Sequence, residues 1–133
     1  MLYHKRIGGY EAKPLRRILN AIPEIKEEEI LDQYYRLKGF SGPYTMDEFA
    51  NGGIDVDSVY HEVRKAKLEV GADHPLIAGL VADPPSTPDD VRAAVRMAAK
   101  GGADGYMLHM WYHNTPKENI VAFGEQLREL GKI

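Results

Sequence analysis

The side chains able to do chemistry gather in three short stretches. His4, Lys5 and Arg6 stand near the start, Asp83 precedes Pro84 and Pro85 in the middle, and His109, Trp111, Tyr112, His113 and Asn114 cluster near the end. Asp83 can serve as a general acid/base or accept hydrogen bonds from hydroxyls, and His109 can act as its hydrogen-bond partner. Trp111 offers a flat apolar face for stacking. A carboxylate, a histidine, an arginine and an aromatic platform together suit a polyhydroxylated ligand. Asp83 and His109 are therefore the candidate catalytic residues, with Trp111, His4, Arg6 and Asn114 as candidate substrate-binding residues.

Plainer readings compete with each of these. Asp83 before two prolines has the form of a turn or cap residue. His109 inside an apolar run has the form of a hydrogen-bonded core histidine, and Trp111 that of a core or interface residue. Lys5 offers a different chemistry, a Schiff base with a carbonyl substrate, as in a small aldolase- or isomerase-like enzyme. No metal site is expected, since no HExxH pattern occurs and His109 and His113 span a strand end rather than one helix face. Gly101 to Gly105 precedes a strand instead of opening a helix, so it is not a phosphate loop, and no cofactor is expected.

These residues need elements to hold them. The run from Pro75 to Ala82 is continuously apolar, the pattern of a strand buried on both faces. Thr87, Pro88, Asp89 and Asp90 then open a helix with a capping threonine, proline at the first position and acids in the first turn. Val91, Ala94, Val95, Ala98 and Ala99 give it an apolar stripe, and Gly101-Gly102 end it. Tyr106 to Tyr112 reads as the next strand. Thr115 to Glu118 has the form of a capping box for a helix reaching Leu130, with Ile120, Phe123, Leu127 and Leu130 as its buried stripe. Strand, helix, strand and helix in this order predict a parallel βαβ unit, whose ligands bind at the carboxyl ends of the strands. Alternation along the strands groups Met107, His109 and Trp111 on one face and Ile77, Gly79, Val81 and Asp83 on the matching one.

The first half is less regular. Leu2 to Ile7 is expected to be a short strand ended by Gly8-Gly9, delivering His4 and Arg6 to the same sheet. A short helix is expected over Pro14 to Ala21, a charged amphipathic helix over Glu24 to Leu37, a single turn after Thr45, and a helix over Asp55 to Val70. The expected fold is thus one α/β domain of about three parallel strands and four or five helices: a strand at 1–7, a helical and loop excursion at 8–54, and a regular αβαβα segment at 55–133.

Composition narrows the class. The chain has 133 residues, 44% of them hydrophobic and 28% charged, with no cysteine, which excludes disulfides, thiolate metal sites and cysteine nucleophiles. Its 17 basic and 20 acidic side chains leave a formal charge of −3. That balance carries no surplus to neutralise a phosphate backbone, so nucleic acid is not an expected partner. No apolar run approaches the ~18 residues that cross a bilayer, so no membrane is expected either, and a cytoplasmic location is.

The stretch from Pro75 to Leu130 resembles the last two βα units of a glycoside-hydrolase-like TIM barrel, through PLIAGLVAD with its capped helix, GGADGYMLHMW as a closing strand, and the final amphipathic helix. Gly53 to Arg64 resembles the helix before the penultimate strand, and Leu2 to Ile7 the sixth strand. The resemblance implies a partial (β/α)8 barrel and a carbohydrate-related function. It also implies an aromatic residue where Trp111 stands and a nucleophilic glutamate where this chain has Asp83. The acid/base after the fourth strand has no counterpart, and glycoside hydrolysis requires two carboxylates. A complete barrel needs roughly 250 residues. Three strands taken from such a ring leave open edges, so a homo-oligomer or a missing partner segment is expected. A non-enzymatic assembly module is the alternative from another class.

Overall fold

In the computed structural model of the chain, residues 4–109 and 113–133 are described. Among the described residues six helices and two strands follow one another: α1 (Ile7–Ala21), α2 (Glu27–Lys38), α3 (Met46–Gly52), α4 (Asp57–Val70), β1 (Ile77–Val81), α5 (Pro88–Gly101), β2 (Gly105–His109) and α6 (Lys117–Glu129). They divide into two compact units, one over His4–Ser58 and one that includes Val59–Ile133.

The His4–Ser58 unit overturns the expected first strand. Residues 4–6 form a turn, and α1 begins at Ile7 and runs straight through Gly8, Gly9 and Pro14. Local propensity disfavours all three in a helix interior, but burial of Gly8, Ala12 and Leu15 along one face decides the outcome. That face packs on α3. The expected excursion is a core of its own: Leu31, Met46 and Phe49 are fully buried, with Ile30, Tyr34, Tyr35 and Ile54 around them. Phe49 lies 5.4 Å from the ring of Tyr34 and 5.9 Å from that of Tyr35, the latter edge to face. The Tyr35 hydroxyl donates to the carbonyl of Pro43 at 2.6 Å. Burial, with Glu11 adding to it, pushes the Tyr34 phenol up to about 12. Caps fix the shorter helices. Thr45 Oγ1 accepts the Glu48 N–H, and Glu27 Oε2 accepts the Met46 N–H at 3.0 Å.

The second unit carries the expected βαβ arrangement. β1 and β2 pair in parallel, from Ile77 opposite Gly105 to Val81 opposite His109. Thr87 and Asp90 cap α5 reciprocally, each side chain accepting the other's backbone N–H, with Pro88 at the first helical position. α5 buries Val91, Ala94, Val95 and Ala98. The partial barrel of three strands is nevertheless wrong: among the described residues the sheet has two strands, and the chain is mostly helical. Two strands curve around no central axis, so no barrel lumen forms among the described residues. Among the described residues the expected four or five helices are six because the single turn expected after Thr45 is a helix, α3, while the helical stretch before Pro14 only lengthens α1.

A clamp closes the amino end of the sheet. Lys67 Nζ donates to the His74 carbonyl (2.8 Å), the Ala72 carbonyl (3.4 Å) and Asp104 Oδ2 (2.8 Å), while Asp104 Oδ2 also accepts the Leu76 N–H at 2.8 Å. The hydrogen bond from Lys67, reinforced by that from Leu76, holds the Asp104 carboxyl below its ordinary range. A depressed folded pKa gives stability that is present above the unfolded carboxylate pKa and lost as pH falls through the folded one. Asp104→Asn is therefore expected to lower the melting temperature at pH 7 and to differ little from wild type near pH 2. Calorimetry of both proteins across that range checks it.

Candidate functional site

The carboxyl end of β1 continues through Ala82 and Asp83 into a cis Pro84–Pro85 peptide and the cap of α5. Ala82 extends the ladder, its N–H donating to the His109 carbonyl at 3.4 Å, and Asp83 lies one residue beyond. Asp83 is 2% exposed and is the only carboxylate among the described buried residues. One of its oxygens accepts the hydroxyl of Thr115. Its own carbonyl accepts the Ser86 N–H at 3.1 Å, which closes the two-proline loop.

Thr115 was expected to cap α6. The N-cap is Pro116 instead, with no side-chain cap, and the threonine hydroxyl serves the carboxylate. The helix stripe also differs. α6 buries Asn119, Ala122, Gln126 and Leu127, while Ile120 and Leu130 stay partly exposed. The reason is polar: Asn119 Nδ2 donates to the Ala82 carbonyl (2.7 Å) and the Ser86 carbonyl (2.8 Å), pinning both ends of the Asp83 loop. Gln126 accepts from Arg96 at 2.6 Å and donates to Glu129 at 2.9 Å. Asn119 and Thr115 are thus the site residues that sequence patterning missed. The signal was the spacing Asn119, Ala122, Gln126, a helical face with polar members that an apolar stripe search passes over.

Of the expected site residues, Asp83 and His109 stand at the ends of adjacent paired strands. Asn114 is exposed, just before Thr115. Trp111 lies outside the described residues, as does Tyr112. His4, Lys5 and Arg6 belong to the other compact unit. There His4 is buried and its carbonyl accepts the Ile54 N–H at 2.8 Å. Arg6 donates to the Tyr10 hydroxyl at 2.7 Å and lies over that ring. Lys5 sits in the turn ahead of α1.

Chemically, the Asp83 site is an acceptor site. Its buried carboxylate accepts the Thr115 hydroxyl, within a loop whose Ala82 and Ser86 carbonyls take the Asn119 amide. No grouping of three or more metal-ligating side chains occurs among the described residues. Nor, among them, is any helix long and apolar enough to cross a membrane. Comparisons with protein-family models, curated proteins and solved structures found no match for this chain.

Proposed function

We propose that this chain binds a polyhydroxylated, carbohydrate-like ligand at the carboxyl ends of β1 and β2. The observation that carries the reading is the buried Asp83 carboxylate, held by Thr115 and framed by the loop that Asn119 pins. Sugars present hydroxyl donors, and a fixed, desolvated carboxylate is a strong acceptor for them. The position agrees with the general rule that ligands of parallel α/β units sit beyond the strand carboxyl ends. In this reading Asp83 accepts from the ligand, His109 hydrogen-bonds beside it and Trp111 supplies the stacking face. A lone buried carboxylate falls short of the pair that glycoside hydrolysis uses, so the role is recognition.

Titration of the labelled protein with oligosaccharides of glucose, xylose and N-acetylglucosamine, followed by amide chemical shifts, tests this. Shifts are expected at Asp83, Ser86 and Thr115. Asp83→Asn keeps the shape but loses the charged acceptor, an interaction worth about 1.5–3 kcal/mol, so its affinity is expected to fall roughly 10- to 100-fold. The absence of any shift at millimolar sugar in the folded wild-type protein sinks the reading.

The sheet supports a second role, self-association, on a separate observation: among the described residues β2 is paired on one side only.

A further inference from the structure

The outer edge of β2 has a definite hydrogen-bonding pattern. The Gly105 N–H donates to the Leu76 carbonyl and the His109 carbonyl accepts from Ala82, so Gly105, Met107 and His109 direct their backbone groups toward β1. In a parallel ladder alternate residues point opposite ways, which turns the N–H and C=O of Tyr106 and Leu108 outward. No described strand meets them. The usual protections of an edge are missing too. The strand reads Gly-Tyr-Met-Leu-His, with no lysine, proline, acid or bulge, and Met107 is 52% exposed. A two-stranded sheet is marginal by itself.

The sequence of this edge is complementary to itself. If β2 meets an inverted copy with Met107 on the symmetry axis, Tyr106 of each strand faces Leu108 of the other. Both outward-pointing residues of both strands are then used, as two hydrogen-bonded pairs exchanging four bonds. Registers centred on residue 106 or 108 leave an outward residue without its counterpart within the strand. The side chains agree with this choice: an aromatic ring meets a leucine in both pairs, and His109 falls opposite Gly105, where no side chain competes for space. With no acid, lysine or arginine on the strand and Met107 on the axis, the two copies meet without like-charge repulsion there, which a second copy of a charged edge would suffer.

We propose that β2 pairs antiparallel with β2 of a second copy of this chain, about a two-fold axis at Met107, giving a four-stranded sheet. The proposal rests on the self-association reading and names its interface. Met107 becomes the non-hydrogen-bonded pair on the axis, with its two Cα atoms about 4.5 Å apart, within reach of a disulfide.

The native chain has no cysteine, so Met107→Cys introduces a single thiol. Under mild oxidation it is expected to yield a covalent dimer on non-reducing gels, while Ile77→Cys, more exposed still but on β1, stays monomeric on the same gel. Sedimentation velocity between roughly 5 and 200 μM is expected to show a dimer whose dissociation constant rises at least about tenfold in Met107→Lys, which sets two ammonium groups face to face. Met107 is exposed, so both variants are expected to keep the wild-type circular dichroism. A wild-type monomer throughout that range overturns both the pairing and self-association. A wild-type dimer that Met107→Lys leaves intact and Met107→Cys fails to cross-link overturns the β2 pairing alone.

Discussion

Gly8→Ala is expected to destabilise the His4–Ser58 unit by about 2–4 kcal/mol, although the same change in an exposed helix is stabilising. A Cβ at Gly8 would lie 1.6 Å from the carbonyl oxygen of Phe49 and 2.7 Å from its carbonyl carbon. Neither atom can yield easily. That carbonyl accepts the Gly53 N–H at 2.8 Å to end α3, and Phe49 itself is fully buried against two tyrosine rings. Gly53 is equally constrained, with φ of +73° and only 2.0 Å between a would-be Cβ and the His4 carbonyl. Helix propensity favours alanine over glycine by about 1 kcal/mol, and the overlap must exceed this for the sign to reverse. Inserting a methyl into a closed contact costs about 1–3 kcal/mol and more when the obstacle is backbone, so packing wins. The adjacent position supplies the control. A Cβ at Gly9 meets nothing closer than the Ala50 carbonyl at 3.8 Å, and Gly9→Ala is expected to stabilise by up to about 1 kcal/mol. Urea midpoints of the two variants, moving in opposite directions, check the argument. Equal shifts would show that α1 and α3 do not approach so closely.

The same glycine explains what the sequence concealed. Gly8, Gly9 and Pro14 are the residues that ordinarily punctuate a chain, and a reading by propensity ends a strand there. Only the partner surface on α3 makes a helix of them, and that surface lies about forty residues away in the sequence. The second half was legible because its signals are local. An uninterrupted apolar run gave β1, Thr87 with Pro88 and Asp90 gave the start of α5, and Gly101-Gly102 marked its end. The site was legible in part for the same reason. Asp83 follows directly from the end of a buried strand, whereas Thr115 and Asn119 act on it across 32 and 36 residues. Their roles are set by where α6 docks. A threonine before a proline looks like a cap until a nearer buried acceptor claims its hydroxyl.

Asn119→Ala is expected to lower the stability of the second unit by about 3 kcal/mol. Asn119 is fully buried, and its amide supplies the donor for the Ala82 and Ser86 carbonyls. Removing it leaves both oxygens without that partner where water does not readily replace it, at about 1–3 kcal/mol for each buried group, with incomplete additivity. Its other amide atom, Oδ1, has no partner among the described residues, so the two donated bonds account for the role of the side chain. Asn119→Asp separates donor loss from volume loss. The aspartate has the same shape, but when ionised it sets a carboxylate against two carbonyl oxygens in the same buried loop as Asp83. The protonated form can donate to one of them. The folded pKa of the introduced acid is therefore raised above its unfolded value, and the resulting penalty is small below pH ~4 and grows as pH rises. Asn119→Asp is expected to approach wild-type stability near pH 4 and to fall to the level of Asn119→Ala or below at pH 7. A pH-independent loss in Asn119→Asp would mean that the loop is held by packing alone, and that the Asp83 carboxylate owes its position to Thr115 rather than to the amide beneath it.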